Sequence, residues 1–106
     1  MHNIKYSNKA YVDIVEAIDY IASTSKINAL DYLVRYEEKI ELLRSNPYMG
    51  IECKNKLIKR DCRIIVHESH IIIYKVLNKE KEILIIRIFH SSVDYASKVN
   101  NEKINK

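Results

Sequence analysis

The segment NPYMG, residues 46–50, contains the only proline and the only glycine of the 106-residue chain. Nothing else in the sequence interrupts regular structure so strongly. Before it, apolar residues recur at helical spacing; after it, they come in short runs rich in Ile and Val, as strands prefer. Helices followed by strands indicate an α+β domain rather than an alternating α/β fold. The length suits one domain over residues 1–106, of which about 98–106 reads as a frayed polar tail.

Working outward from the break, residues 3–6 (NIKY) are a strand candidate, and Ser7 stands where an N-cap belongs. Ala10, Ile14, Ala17, Ile18 and Ile21 then share one helix face, with Asp13, Glu16 and Asp19 on the wet side. Ser25 caps a second helix over about 26–45, whose expected stripe is Ile27, Leu30, Leu33, Val34, Ile40 and Leu43. The short link STS between them predicts an antiparallel hairpin. Beyond Gly50, strands are expected at about 57–67, 71–78 and 82–90, a three-stranded antiparallel meander in one sheet. A short last helix, VDYASKV, follows, with Ser91 or Ser92 as its cap and Asp94 in its first turn.

The strands do not alternate cleanly between apolar and polar. Period two puts Leu84, Ile86 and Ile88 on one face of the last strand, and Ile83, Ile85, Arg87 and Phe89 on the other. In the middle strand Ile72, Tyr74 and Val76 oppose Ile71, Ile73 and Lys75. Both faces are apolar, yet two helices cover only one. The tail is too polar to cover the other, so a protein partner is expected over it.

Charge is uneven along the chain. Residues 1–50 carry six Lys/Arg against seven Asp/Glu, whereas residues 51–106 carry twelve against seven. The second half therefore presents a positive field suited to an acidic or nucleic-acid partner. No apolar run approaches the length of a membrane span, and the start MHNIKYSNKA has no signal-peptide core. Cys53 and Cys62 accordingly read as reduced thiols of a cytoplasmic protein.

Chemistry-bearing residues are sparse. His2, His67, His70, His90 and the two cysteines match no metal-ligand spacing, and His67 and His70, three apart, should point to opposite sheet faces. No glycine-rich phosphate loop exists, and no cofactor is implied. His90 beside Ser91 on an extended chain makes no dyad, so the serines read as caps rather than nucleophiles. The run KNKLIKRDCR, residues 54–63, has five cations but no interleaved aromatic ring, which a single-strand binder would use for stacking.

Four segments in order, YSNKAYVDIVEAIDYIA, NPYMG, RIIVHESHIIIYKV and ILIIRIFHSSVDYA, resemble the RelE/ParE superfamily of type II toxins, and its ParE-like branch in particular. The resemblance spans about residues 4–97. It rests on the Pro47–Gly50 turn after the helix pair, the meander through Tyr74 and Arg87, and the H-x-x-x-D element from His90 to Asp94. It implies a toxin neutralised by a small antitoxin that covers the sheet and the helix hairpin, with Ile71, Ile73, Ile83, Ile85 and Phe89 as its seat. ParE-like members poison DNA gyrase, whereas RelE-like members cut mRNA on the ribosome. Where RelE-like ribonucleases carry basic residues, this chain has Cys62, Ile64, Ile71 and Ser92, none able to neutralise a developing phosphorane. Gyrase poisoning is therefore the favoured expectation, with Arg60, Arg63 and Arg87 as target-binding residues. His90 with Arg63 and Arg87 would form the catalytic set of the ribonuclease alternative, and a non-enzymatic binding domain is the third reading. One departure stands out: Val93 occupies the place of a basic residue frequent in ParE-like members.

Overall fold

Both serines expected to start helices do so in the computed structural model, which describes residues 1–53 and 61–92. Strand β1 (Asn3–Tyr6) runs into Ser7, whose hydroxyl accepts from the Ala10 amide at 3.0 Å and opens α1 (Asn8–Thr24). The same hydroxyl donates to the Ile86 carbonyl at 2.7 Å, which fastens the start of the helix to the sheet. Ser25 ends α1 and caps α2 (Lys26–Ser45), accepting from the Asn28 amide at 3.1 Å. A single residue between the helices enforces the antiparallel hairpin. No helix among the described residues is long and apolar enough to cross a membrane.

The strands form one mixed five-stranded sheet in the order β1-β5-β4-β3-β2. After β2 (Ile51–Glu52) come β3 (Arg63–His67), β4 (His70–Leu77) and β5 (Glu82–His90). Only β1 lies parallel to its neighbour, with Asn3 opposite Glu82 and Tyr6 opposite Ile85. Of the strand expected over about 57–67, Arg63–His67 is β3 and residues 57–60 lie outside the described residues, and the two-residue β2 adds an edge strand beside β3. The last short helix, with Asp94, lies outside the described residues.

The break works as a tethered turn. The Met49 amide donates to the Asn46 carbonyl at 3.0 Å, a turn with Pro47 in its favoured second position. Tyr74, fully buried in β4, donates its hydroxyl proton to the Pro47 carbonyl at 2.8 Å and accepts from the Gly50 amide at 2.9 Å. One phenol thus joins the helical half to the sheet.

Three expectations about side-chain faces are overturned. On α2 the buried residues are Ala29, Tyr32, Tyr36, Ile40 and Leu43, whereas Ile27, Leu30 and Val34 are 72%, 63% and 58% exposed. The tyrosines win the inward face because their hydroxyls find partners there, Tyr36 with Tyr6 at 2.8 Å and Tyr32 with His70 at 2.8 Å. In β5, Ile73 pairs with Arg87 but Tyr74 pairs with Ile85, so Ile86 is an extra, bulged residue. The bulge turns Ile88 onto the helix-packed face with Ile83 and Ile85, and sends Leu84, Ile86 and Phe89 to the other. Ile83 and Ile85 are wholly buried under the helices and so do not share a face with Ile71, Ile73 and Phe89. Finally, Asp13 is no wet-side residue: its side chain is 12% exposed and binds Arg87.

The second sheet face is not an open apolar surface either. Cys62, Ile71, Ile73, Leu84, Ile86 and Phe89 form a cluster in which every residue is less than a tenth exposed. Cys53 and Cys62 are joined in a disulfide rather than standing as thiols. The reason is register: the ladder that sets Glu52 against Arg63 places Cys53 against Cys62, with the Cys53 amide donating to the Cys62 carbonyl at 2.9 Å.

Candidate functional site

Three histidines stand in one row across the sheet. His67 pairs with His70, and His70 pairs with His90. Directly opposed residues share a face, so the expectation of opposite faces for His67 and His70 fails. It fails because the turn between them is tight, with Glu68 in the left-handed region at φ 55°. Tyr32 packs edge-on against His67 and His70, with ring centroids 5.2 and 5.4 Å away, and the His90 ring lies 5.6 Å from His70.

A cleft of about 740 Å³ opens beside this row, between α1, α2 and the end of the sheet. Glu16 and Tyr20 approach it from α1, Arg35 from α2, and His70, His90 and Ser92 from the strands. Arg35 is fixed by a two-pronged pair with Glu68, at 2.6 and 3.2 Å. Burial pushes the Tyr32 phenol up to about 12, with the Glu68 charge adding to it. A protonated Tyr32 satisfies the bond to His70 Nδ1 when that nitrogen accepts.

His90 and Ser92 touch as a base and nucleophile would, Nδ1 to Oγ at 2.8 Å. Nδ1, however, also accepts the Ser92 amide at 3.2 Å, which is how a residue caps its own strand end. No carboxylate among the described residues bonds the other ring nitrogen, so none of them orients the ring as the acid of a triad does. Nor is any group of three or more His, Cys, Asp or Glu side chains among the described residues placed to hold a metal ion.

Arg63 and Arg87, expected beside His90, do not line the cleft. Arg63 pairs with Tyr74, four residues back along β3 from the histidine row, a separation of about 13 Å at strand rise. There its guanidinium donates to the Gly50 carbonyl at 2.9 Å and the Tyr48 carbonyl at 3.3 Å, approaches Glu52 at 3.2 Å and lies over the Tyr48 ring. Arg87 reaches around the edge of β5 to Asp13, at 2.7 and 3.0 Å. Arg60 lies outside the described residues. Sequence reasoning missed Tyr32, Arg35, Glu68 and His70; the one available signal was the pair of histidines flanking a turn short enough to place them side by side.

The profile of the ParE toxin of type II toxin–antitoxin systems, parDE, matches residues 4–95. The chain belongs to this family. A solved structure described as a chromosomal ParDE TA system from P. aeruginosa superimposes with a TM-score of 0.65 at 23% identity, covering 85% of this chain and 96% of that one. That likeness establishes a shared fold. No curated protein sequence matches the chain.

The histidine row makes the stability of this ParE-family fold sensitive to acid. Burial holds both His67 and His70 below the ordinary imidazole range; Lys39 and Arg35 add to it at His67, and His90 and His67 at His70, with Glu68 opposing in each case. A folded-state pKa below the unfolded value near 6.5 means that the unfolded chain takes up protons first as pH falls. Stability is therefore fully present above about pH 6.5 and declines below it, by up to about 1.4 kcal/mol per pH unit for each histidine. Urea unfolding between pH 7.5 and 5 should show that slope, and His67→Phe should roughly halve it. A wild-type stability that is flat or rising on acidification through that window would remove the histidines from the account.

Proposed function

We propose that this protein arrests growth by poisoning DNA gyrase and is neutralised by a cognate antitoxin. The observation that carries the reading is the dispersal of the ribonuclease set. His90 is at one end of the sheet, Arg63 is about 13 Å back along β3 from the histidine row and committed to backbone carbonyls, and Arg87 is bonded to Asp13. Arg35 shares the cleft with His90 but is held by Glu68, whereas a poison of gyrase needs no catalytic group, because the broken phosphodiester belongs to gyrase. Membership of the ParE family supports the same choice.

The contacts with the target are best assigned to the basic run that includes Arg60. Arg63 anchors the Pro47–Gly50 turn, and its reversal would confuse binding with folding. The antitoxin seat is best placed on the helix hairpin, where Ile27, Leu30 and Val34 are exposed at i, i+3 and i+7, a stripe suited to an amphipathic helix. Ile71, Ile73 and Phe89 are already buried within the chain.

One assay tests both assignments. Purified protein added to gyrase and relaxed plasmid should block supercoiling and leave linear DNA after detergent and protease. Arg60→Glu should lose this effect with unchanged thermal melting, and the antitoxin should relieve inhibition by the wild type but not by Leu30→Asp. Full supercoiling with active gyrase and folded protein would reject gyrase as the target and return attention to the ribosome.

A further inference from the structure

We propose that the Cys53–Cys62 disulfide is a thiol-responsive clasp that holds the edge strand β2 and, through it, the setting of Arg63. The inference rests on the reading in which this end of the sheet meets the target. β2 has two residues, both exposed, with Ile51 79% exposed. Its pairing with β3 amounts to Ile51 opposite Ile64 and Glu52 opposite Arg63. So short an edge strand has little hold of its own. The disulfide covalently extends that ladder by one more pair, immediately beside Arg63.

The two sulfurs differ in a way that makes the clasp releasable without loss of the fold. Cys53 is half-buried, whereas Cys62 is 3% exposed and packs with Ile73 and Ile86. A small thiolate attacks Sγ of Cys53, the S–S bond breaks, and Cys62 leaves as a thiolate that takes up a proton. A second thiolate then attacks the reductant's sulfur in the mixed disulfide, freeing Cys53 as a thiolate that is protonated in turn. Two thiols are oxidised to one small disulfide while the protein disulfide gains two electrons and two protons. The protonated Cys62 remains a small apolar side chain, at home in its cluster. β2 loses its covalent tie and keeps its two ladder pairs and the contact of Glu52 with Arg63. The Gly50 amide, bonded to the Tyr74 hydroxyl, keeps its partner in either state.

Amide hydrogen exchange on the full chain reads this directly, comparing oxidised protein with protein reduced by dithiothreitol and alkylated at the more exposed Cys53 alone, and with Cys53→Ser/Cys62→Ser. The Cys53 amide, which donates to the Cys62 carbonyl, should exchange on the order of tenfold faster or more in both opened forms. The amides of Gly50 and of Ile72 in β4 should not change. Equal exchange at Cys53 in all forms would overturn the clasp, and so would a general loss of protection, which would make the bond a staple of the whole fold. In the gyrase assay with excess reagent removed, the oxidised protein should inhibit more strongly than either opened form. Equal inhibition by all three would overturn the regulatory role. If no form inhibits while the local exchange difference persists, the gyrase reading fails and the clasp stands.

Discussion

Asp13→Ala is expected to destabilise the fold by about 3–5 kcal/mol, the largest loss foreseen for any single polar side chain here. The carboxylate accepts from Arg87 Nε at 2.7 Å, Arg87 Nη2 at 3.0 Å and the Ile88 amide at 2.9 Å. Both partners are largely withdrawn from water, with side chains 12% and 16% exposed. Such a pair contributes little net stability compared with apolar residues of the same shape, but removing Asp13 takes from a largely buried guanidinium the carboxylate that holds it by two bonds. The position aggravates the loss. β1 pairs with β5 only as far as Ile85, so the edge beyond it is open, and Asp13 serves there as the missing strand for the Ile88 amide. Thermal melting should fall by on the order of 15 °C or more for a domain this small. Asp13→Leu with Arg87→Met should recover part of that loss, since it removes both charges of the pair together. The same logic separates folding from function: Arg87→Glu should abolish toxicity by unfolding the protein, not by sparing a folded one. A melting point within about 2 °C of wild type for Asp13→Ala would show that water already screens the pair.

How legible all this was depended on the range over which each feature is decided. Ser7 and Ser25 could be read as caps because a cap is settled within four residues, and both helices start where those serines place them. The bulge at Ile86 leaves no trace in composition, so strict alternation sets Phe89 on one face with Ile83 and Ile85, whereas the fold divides them. Tyr32 and Tyr36 were passed over for the inward face of α2 because a stripe counted in aliphatic residues ignores a ring whose hydroxyl finds a buried partner. The histidine row needed the length of one turn, and the disulfide needed a two-residue strand that no propensity marks. Arg63 and Arg87 stand out in the sequence as cations, whereas their bonds to the Gly50 carbonyl and to Asp13 join residues 13 and 74 positions apart, beyond the reach of local pattern.

Gly50→Ala should cost roughly 2–4 kcal/mol, although nothing about the backbone at Gly50 demands glycine. No positive φ is found there; the constraint is space. A Cβ at residue 50 would stand 2.5 Å from the Tyr74 hydroxyl oxygen, 2.8 Å from Tyr74 Cε1 and 2.8 Å from the Ile64 carbonyl. The carbonyl belongs to the sheet ladder and cannot withdraw, so the Tyr74 ring must. Tyr74 is itself fully buried, and shifting it breaks the bonds to Gly50 and Pro47 that hold the turn to the sheet. Tyr74→Phe isolates the second half of this effect: it keeps the ring and leaves the Gly50 amide and Pro47 carbonyl without their partner, for a loss of about 1–3 kcal/mol. If the clash works by displacing Tyr74, the two substitutions must not add, since both act on the same pair of bonds. Chemical unfolding of Gly50→Ala, Tyr74→Phe and the double variant decides it. A double variant as unstable as the sum of its parts would mean that Gly50 is required by the Ile64 carbonyl alone, and that the phenol is a separate contribution. The sub-additive result would make the sole glycine and a tyrosine 24 residues away one device, the joint through which the helical half of the chain grips the strands.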